Sequence, residues 1–374
     1  MNAGPILAAI ERELRTFGEN RGAGTRVLSM NLVVVAESFD LASRYTQVVD
    51  DVAPTLLARA IVVGLDPGSR EGALEGHATS VEVDKNAFTE RISLTAKGPM
   101  CFRIPSILEA LLAPDVPIVL VWLGRLHAHD AVFEQIAERA DRVIIDSEYT
   151  SVANLVGLAS FAGTHPAAHI ADLAWTRIEA WQDLLARFFD QAEHTPFAAH
   201  VERVVVAQAS DPGALVGSEA ALLVGWLGSR LGIRSYRAGG AVRYVRPDGA
   251  DVTFEIVAVP RPEGVAPSTL AEVTVHARRG AETLKGSTVR ELASGGQRGR
   301  TADADVVTWR LQTSTGTALE QRVRLGTNKA GKWLERTLRR PSVDPALLEA
   351  IAFAEAIADE HVGARTSTLD VTAT

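Results

Sequence analysis

A chain of 374 residues, 47% hydrophobic and 22% charged, is long enough to bury two domain cores and carries no segment of extreme bias. A formal charge of −8 argues against nucleic acid as the main partner, because phosphate-tracking surfaces carry a basic excess. The single cysteine, Cys101, excludes an intrachain disulfide and fits a reducing compartment. The apolar runs Pro117–Leu123 and Ala220–Leu227 fall far short of the ~20 residues that span a bilayer. The expectation is a soluble cytoplasmic protein that binds neither membrane nor nucleic acid.

Ile6, Ile10, Leu14 and Phe17 recur at helical spacing among charges, which marks an amphipathic helix and not a signal peptide. Thr25–Ala36 is a β-branched run and predicts a buried strand. Asp40–Leu57 has helical periodicity with Asp40 as N-cap, and Arg59–Leu65 is a second strand. Together they predict a β-α-β unit with parallel strands. Thr79–Asp84 and Glu90–Ala96 alternate apolar and polar residues, as an antiparallel pair at a sheet edge does. Ile104–Leu112 reads as a helix, Pro117–Gly124 as a buried strand, Asp130–Ala140 as a helix and Arg142–Asp146 as a strand. Ser151–Phe161 reads as a further helix ending at Gly163. This alternation predicts a Rossmann-like α/β N-terminal domain with a mostly parallel sheet over residues 1–163.

Asp172–Asp190 is the most strongly patterned stretch and predicts a long helix. Leu173, Ala174, Ile178, Trp181, Leu184, Leu185, Phe188 and Phe189 share one arc. Trp175 sits at its edge, and Arg177 projects into it. A guanidinium there must find a carboxylate, stack on a ring such as Trp181, or face a second protein. Glu202–Ala207 reads as a strand and Ser218–Leu231 as a buried helix. From Ile233 the alternating stretches Ala241–Val245, Val252–Val259, Glu272–Arg278, Val306–Leu311 and Ala318–Leu325 predict an antiparallel meander. Thr283–Thr301 reads as a Gly/Arg-rich loop, and Lys329–Leu338 and Pro345–His361 as terminal helices. The expectation is an α+β C-terminal domain with an antiparallel sheet over residues 164–374, beginning with the long helix 172–190.

The residues offer little catalytic equipment. No G-x-G-x-x-G follows the first strand, no phosphate-loop motif occurs, and the 64–70 loop reads as an ordinary turn. His165, His169 and Asp172 have helical spacing that can hold zinc, but Pro166 separates the two rings and Asp172 is equally suited to capping. His127 and His129 come after the Pro117–Gly124 strand, where α/β folds place ligand groups, although paired histidines in a polar loop are common. Cys101 precedes an apolar helix and reads as a small buried side chain. Lys329, Lys332, Arg336, Arg339 and Arg340 line one side of the first C-terminal helix, either as a solvated face or as a dock for an acidic or phosphorylated partner. No catalytic, cofactor-binding or metal residue is assigned, which favours a binding or regulatory protein over an enzyme.

The run D-L-A-W-T-R at Asp172–Arg177, continuing I-E-A-W to Trp181, resembles the signature of the OpcA family, the glucose-6-phosphate dehydrogenase assembly proteins. R-V-L at Arg26–Leu28, R-A-I-V-V at Arg59–Val63, P-I-V-L-V-W at Pro117–Trp122 and L-L-V-G-W-L-G-S-R-L at Leu222–Leu231 occur in the family's order. The resemblance covers residues 25–235. It implies a non-catalytic partner that binds glucose-6-phosphate dehydrogenase, promotes its assembly and raises its activity as an allosteric activator of the oxidative pentose phosphate pathway. Asp172, Trp175, Arg177, Trp181, Trp122 and Trp226 become candidates for the motif or the interface, either locking domains or touching the enzyme. The thiol-redox control of cyanobacterial members does not carry over to a chain with one cysteine. The alternative is a sugar-phosphate-binding enzyme or a phosphometabolite sensor using the N-terminal crevice.

Overall fold

In the computed structural model the described residues are 4–20, 25–85, 87–125, 130–149, 155–157, 159, 161, 163, 169–238, 241–263, 265–291, 306–326, 329–340, 344–357 and 363–364. They form two compact units. The first comprises Met1–Thr150, Gly157–Thr176 and Lys329–Asp344; the second comprises Ser151–Val156, Arg177–Asn328 and Pro345–Thr374.

The first unit is built on eight strands: β1 (Thr25–Arg26), β2 (Met30–Ala36), β3 (Ala58–Asp66), β4 (Ala73–Asp84), β5 (Ala87–Lys97), β6 (Ile118–Leu123), β7 (Arg142–Ile145) and β8 (His169–Asp172). Their main path runs β5-β3-β2-β6-β7-β8, all parallel. Taken in chain order these six strands read 3-2-1-4-5-6, the doubly wound arrangement of dinucleotide-binding folds. The expected antiparallel pair exists, with β4 at the edge beside β5. The central strands read almost wholly apolar (Leu32–Ala36, Ile61–Val63, Leu120–Leu123) because helices cover both faces of such a sheet. Helix α1 (Gly4–Asn20) lies against β4, and Ile6 and Ile10 press on Gly76, where a β-carbon would meet Ile10 at 2.9 Å. Helix α2 (Phe39–Leu56) is capped by Ser38, whose hydroxyl accepts the Leu41 N–H at 3.2 Å. The expected cap, Asp40, sits instead in the first turn, because the chain enters the helix one residue pair earlier than the periodicity suggests. Helices α3 (Ile104–Leu111) and α4 (Ala131–Ala137) complete the crossovers, with Asp130 capping α4 through the Val132 and Phe133 N–H groups. Most of the helix expected at Ser151–Phe161 lies outside the described residues.

The long central helix is shorter than its periodicity: α5 spans Leu173–Ala186, and the arginine and two phenylalanines beyond it turn away. Asp172 is the last residue of β8 and not the first of the helix. In the second unit, β9 (Val201–Ala209), α6 (Ser218–Arg230), β10 (Arg234–Ala238), β11 (Ala241–Val245) and β12 (Asp251–Val259) come first. After them come β13 (Thr269–Arg279), β14 (Glu282–Arg290), β15 (Val306–Thr313), β16 (Ala318–Arg324) and β17 (Gly363–Ala364). The sheet order is β10-β11-β12-β9-β13-β14-β15-β16, with β17 beside β12.

The expected meander needs two corrections. Strands β9 and β12 are parallel, so β9-α6-β12 is a crossover unit, concealed in sequence by the β10–β11 hairpin inserted within it. Thr283–Arg290, expected in a Gly/Arg-rich loop, belongs to strand β14, and residues 292–305 lie outside the described residues. Gly286 is there because the Phe188 ring fills the space of its side chain, at 2.6 Å from a notional β-carbon. Phe188 in turn stacks on Trp309 at 5.4 Å, and the Trp309 indole donates to the Leu184 carbonyl at 2.9 Å. The aromatic end of the α5 segment is thereby fixed on the sheet. Helix α7 (Ala330–Arg339) belongs to the first unit and α8 (Pro345–Ala354) to the second.

Candidate functional site

In an open parallel sheet, ligands bind where the strand order reverses, at the carboxyl ends of the strands. Here that point lies between β2 and β6, and a carboxylate fills it. Glu37 comes directly after β2; its N–H donates to the Leu123 carbonyl at 3.2 Å, and its Oε2 accepts the Arg125 N–H at 2.8 Å. Gly124 admits this packing, since a β-carbon there would come within 2.4 Å of the Glu37 side chain. The helix terminus beyond is taken by Ser38. A pyrophosphate entering this crevice would meet the Glu37 carboxyl and find the Arg125 and Leu41 N–H groups already engaged. Millimolar NADP+ is therefore expected to leave the melting temperature unchanged; a saturable rise of several degrees would contradict this reading.

The D-L-A-W-T-R run is almost wholly buried. Asp172, 1% exposed, accepts from the Ser147 N–H at 3.1 Å, the Ser147 hydroxyl at 2.7 Å and the Ala174 N–H at 3.0 Å. Trp175, 4% exposed, donates its indole N–H to Asp344 at 2.8 Å. The Thr176 hydroxyl lies 2.7 Å from that of Thr337 on α7. Sequence reasoning misses Thr176, because a threonine on a helix carries no signal until its distant partner is known. Within the first unit, this run therefore clasps α7, a segment more than 150 residues away in the chain. Arg177, the first residue of the second unit's main segment, resolves its position through a carboxylate: its Nε meets Glu219 Oε1 at 2.7 Å. Trp181 takes a different cation, with the Arg290 guanidinium 5.2 Å from its ring centre. Trp122 lies in the first unit, edge-on to Phe133 at 5.2 Å, and Trp226 is half-buried on α6. Of the six candidates, Asp172, Trp175 and Trp122 belong to the first unit and Arg177, Trp181 and Trp226 to the second.

The C-terminal basic helix is less one-sided than its sequence. Glu335 lies among the cations and pairs with Lys332 at 2.8 Å and Arg339 at 2.6 Å; the Lys332 hydrogen bond holds its carboxyl below the usual value. Arg340 approaches Asp344 at 3.9 Å, and burial lowers its affinity for its proton. Arg336 is exposed, and Lys329 precedes the helix. What secures α7 is Arg142, whose guanidinium donates to the Thr337, Leu338 and Arg340 carbonyls at 2.6, 3.1 and 3.3 Å. It answers the orphan carbonyls of the helix end. Arg142→Ala is expected to destabilise the first unit by about 2 kcal/mol, read as a lower urea midpoint with unchanged slope. An unchanged midpoint would mean that α7 is held by other contacts.

Of the zinc geometry considered for His165, His169 and Asp172, the pairing of His169 with Asp172 does not form. His169 opens β8 and Asp172 closes it, and an odd separation along a strand points two side chains to opposite faces. His165, His127 and His129 lie outside the described residues. Cys101 is buried, with its thiol 3.3 Å from the Ala96 carbonyl, and burial pushes its pKa up, away from nucleophilic character. Among the described residues no group of three metal-ligating side chains occurs, and no helix is long and apolar enough to cross a membrane.

The chain is similar to two family models. The glucose-6-phosphate dehydrogenase subunit N-terminal domain matches residues 50–160, and the corresponding C-terminal domain, both carrying the OpcA name, matches residues 168–351. An OxPP cycle protein OpcA of Synechococcus elongatus is 27% identical over 180 residues, which are 46% of this chain and 39% of that protein. Its counterpart in Nostoc punctiforme is 24% identical over 286 residues, 69% of this chain and 60% of that one. The matches thus span less than two thirds of these curated relatives. Among solved structures, the biliverdin reductase of Synechocystis sp. with biliverdin and NADP+ has a TM-score of 0.46 at 11% identity, covering 88% of this chain and 98% of that one.

Proposed function

Because this chain belongs to the OpcA family of glucose-6-phosphate dehydrogenase subunit proteins, we propose that it binds that dehydrogenase as a non-catalytic partner. In doing so it promotes the enzyme's assembly and raises its activity, in the cytoplasm and in support of the oxidative pentose phosphate pathway. The observation that carries this reading is that both family models match, one over residues 50–160 and the other over residues 168–351. The carboxylate of Glu37 at the strand-order reversal supports it further, by disfavouring the sugar-phosphate enzyme and the phosphometabolite sensor that use that crevice.

Activation of this kind is a difference in affinity. The chain must bind the active form of the dehydrogenase better than the inactive one, and driving a 1:99 equilibrium to 99:1 takes a preference of about 10⁴-fold. On this reading Asp172, Trp175 and Arg177 act from within, by fixing the elements around them, and not by touching the enzyme. The purified pair is expected to co-elute at micromolar concentration and to show a raised dehydrogenase rate. Separate elution with an unchanged rate would end the proposal.

A further inference from the structure

The hairpin β10–β11 lies in the longest acid-free stretch of the chain. No carboxylate occurs between Glu219 and Asp248, whereas five arginines do: Arg230, Arg234, Arg237, Arg243 and Arg246. In a protein of net charge −8 this is a local excess of positive charge. Arg230 and Arg246 are engaged, with Glu349 and Asp248. Arg234 and Arg243 are exposed and make no ion pair among the described residues. Register places them together: Tyr236 lies directly opposite Arg243, and Arg234 is two residues along the same strand, so all three share one face. The opposite face is spoken for, since Tyr244 stacks on Phe353 at 5.7 Å. Tyr236 is 48% exposed, although a tyrosine on a strand ordinarily packs. The nearest acid in the ladder, Asp251, is paired with Val245 and not with either arginine.

β10 is also the end of its sheet, with no backbone hydrogen bond on its outer side among the described residues. The other end, β16, is different: Glu320 pairs with Arg310 and Arg322 pairs with Glu291, which leaves Arg324 as its one charge outside an ion pair among the described residues. A strand edge offers backbone donors and acceptors, two uncommitted guanidinium groups prefer carboxylates, and an exposed tyrosine supplies a flat apolar anchor.

We propose that the β10 edge docks an extended acidic segment of a protein partner, which adds a strand to the sheet and places its carboxylates against Arg234 and Arg243. If the partner is the dehydrogenase, this rests on the function proposed above; the acidic-segment chemistry stands without it. Two probes separate the two claims: a glutamate-rich peptide and the purified dehydrogenase, each titrated with the wild type and with the variants Arg234→Glu/Arg243→Glu and Tyr236→Ala. All three positions are exposed, so melting is expected to stay within a degree or two of wild type. The wild type is expected to bind the peptide, the double variant at least tenfold less tightly, and binding is expected to weaken as salt rises. The dehydrogenase complex is expected to weaken to a similar degree. Equal peptide binding by wild type and double variant, or preference for a single-stranded oligonucleotide over the peptide, overturns the acidic-segment proposal. A dehydrogenase complex untouched by the variants, with peptide binding lost, overturns only the identity of the partner.

Discussion

Asp172→Ala is expected to lower the melting temperature of the first unit by about 10 °C. The carboxylate satisfies three donors at a site only 1% exposed: the Ser147 N–H, the Ser147 hydroxyl and the Ala174 N–H. Alanine removes this acceptor from all three, and each buried group that loses its hydrogen bond costs about 1–3 kcal/mol. Relief from burying a carboxylate offsets part of this, which leaves a loss of about 4 kcal/mol, or roughly 2–4 °C per kcal/mol for a unit of this size. Asp172→Asn is the discriminating control. Its remaining oxygen can still accept the two backbone N–H groups while its amide faces the Ser147 hydroxyl, so it is expected to lose about half as much. Equal losses for the two variants would mean that charge, and not acceptor geometry, is what the site needs. Because Thr176 comes soon after and bonds Thr337 on α7, Asp172→Ala is also expected to raise hydrogen exchange along Ala330–Arg339.

The second large effect lies in the other unit. Gly225 sits on α6 where α8 crosses it, and a β-carbon there would lie 2.1 Å from the Ala350 carbonyl oxygen and 2.9 Å from its carbon. These are backbone atoms, so no rotamer change relieves the overlap; the helices must part. Gly225→Ala gains about 1 kcal/mol in helix propensity but loses more through forced separation, for a net destabilisation of about 2–3 kcal/mol. Gly228 is the informative neighbour. Its notional β-carbon meets the Phe353 ring at 2.2 Å, a side chain and not backbone. Gly228→Ala is thus expected to be partly rescued by Phe353→Leu, whereas no side-chain change rescues Gly225→Ala. Rescue of Gly225→Ala by the same leucine would contradict this explanation of the close approach.

How much of the fold is legible in the sequence depends on what each signal measures. The strands Leu32–Ala36, Ile61–Val63 and Leu120–Leu123 are apolar on both faces, so the parallel sheet is readable from composition and spacing. Asp172–Arg177 is readable as a motif, but its role is not. The partners of Asp172, Trp175 and Thr176 are Ser147, Asp344 and Thr337, and nothing in local periodicity points across such distances. Helical periodicity likewise overruns at both ends of α5. It takes Asp172 for a helical residue when it closes a strand, and it counts Phe188 as helical because an aromatic that leaves a helix to pack on a sheet is just as apolar. The parallel pair β9–β12 is hidden by the inserted hairpin, whose acid-free composition is itself plain in the sequence. The basic helix shows the reverse error: counting Lys332, Arg336 and Arg339 by sign alone overlooks the glutamate between them.

The most direct test of the central claim is the oligomeric mass distribution of glucose-6-phosphate dehydrogenase, measured by mass photometry at nanomolar concentration with and without this chain. With the chain present, the distribution is expected to shift towards a larger assembly that contains both proteins, in step with a rise in dehydrogenase rate. A distribution unchanged up to a large excess of the chain, with no change in rate, would contradict the proposed role.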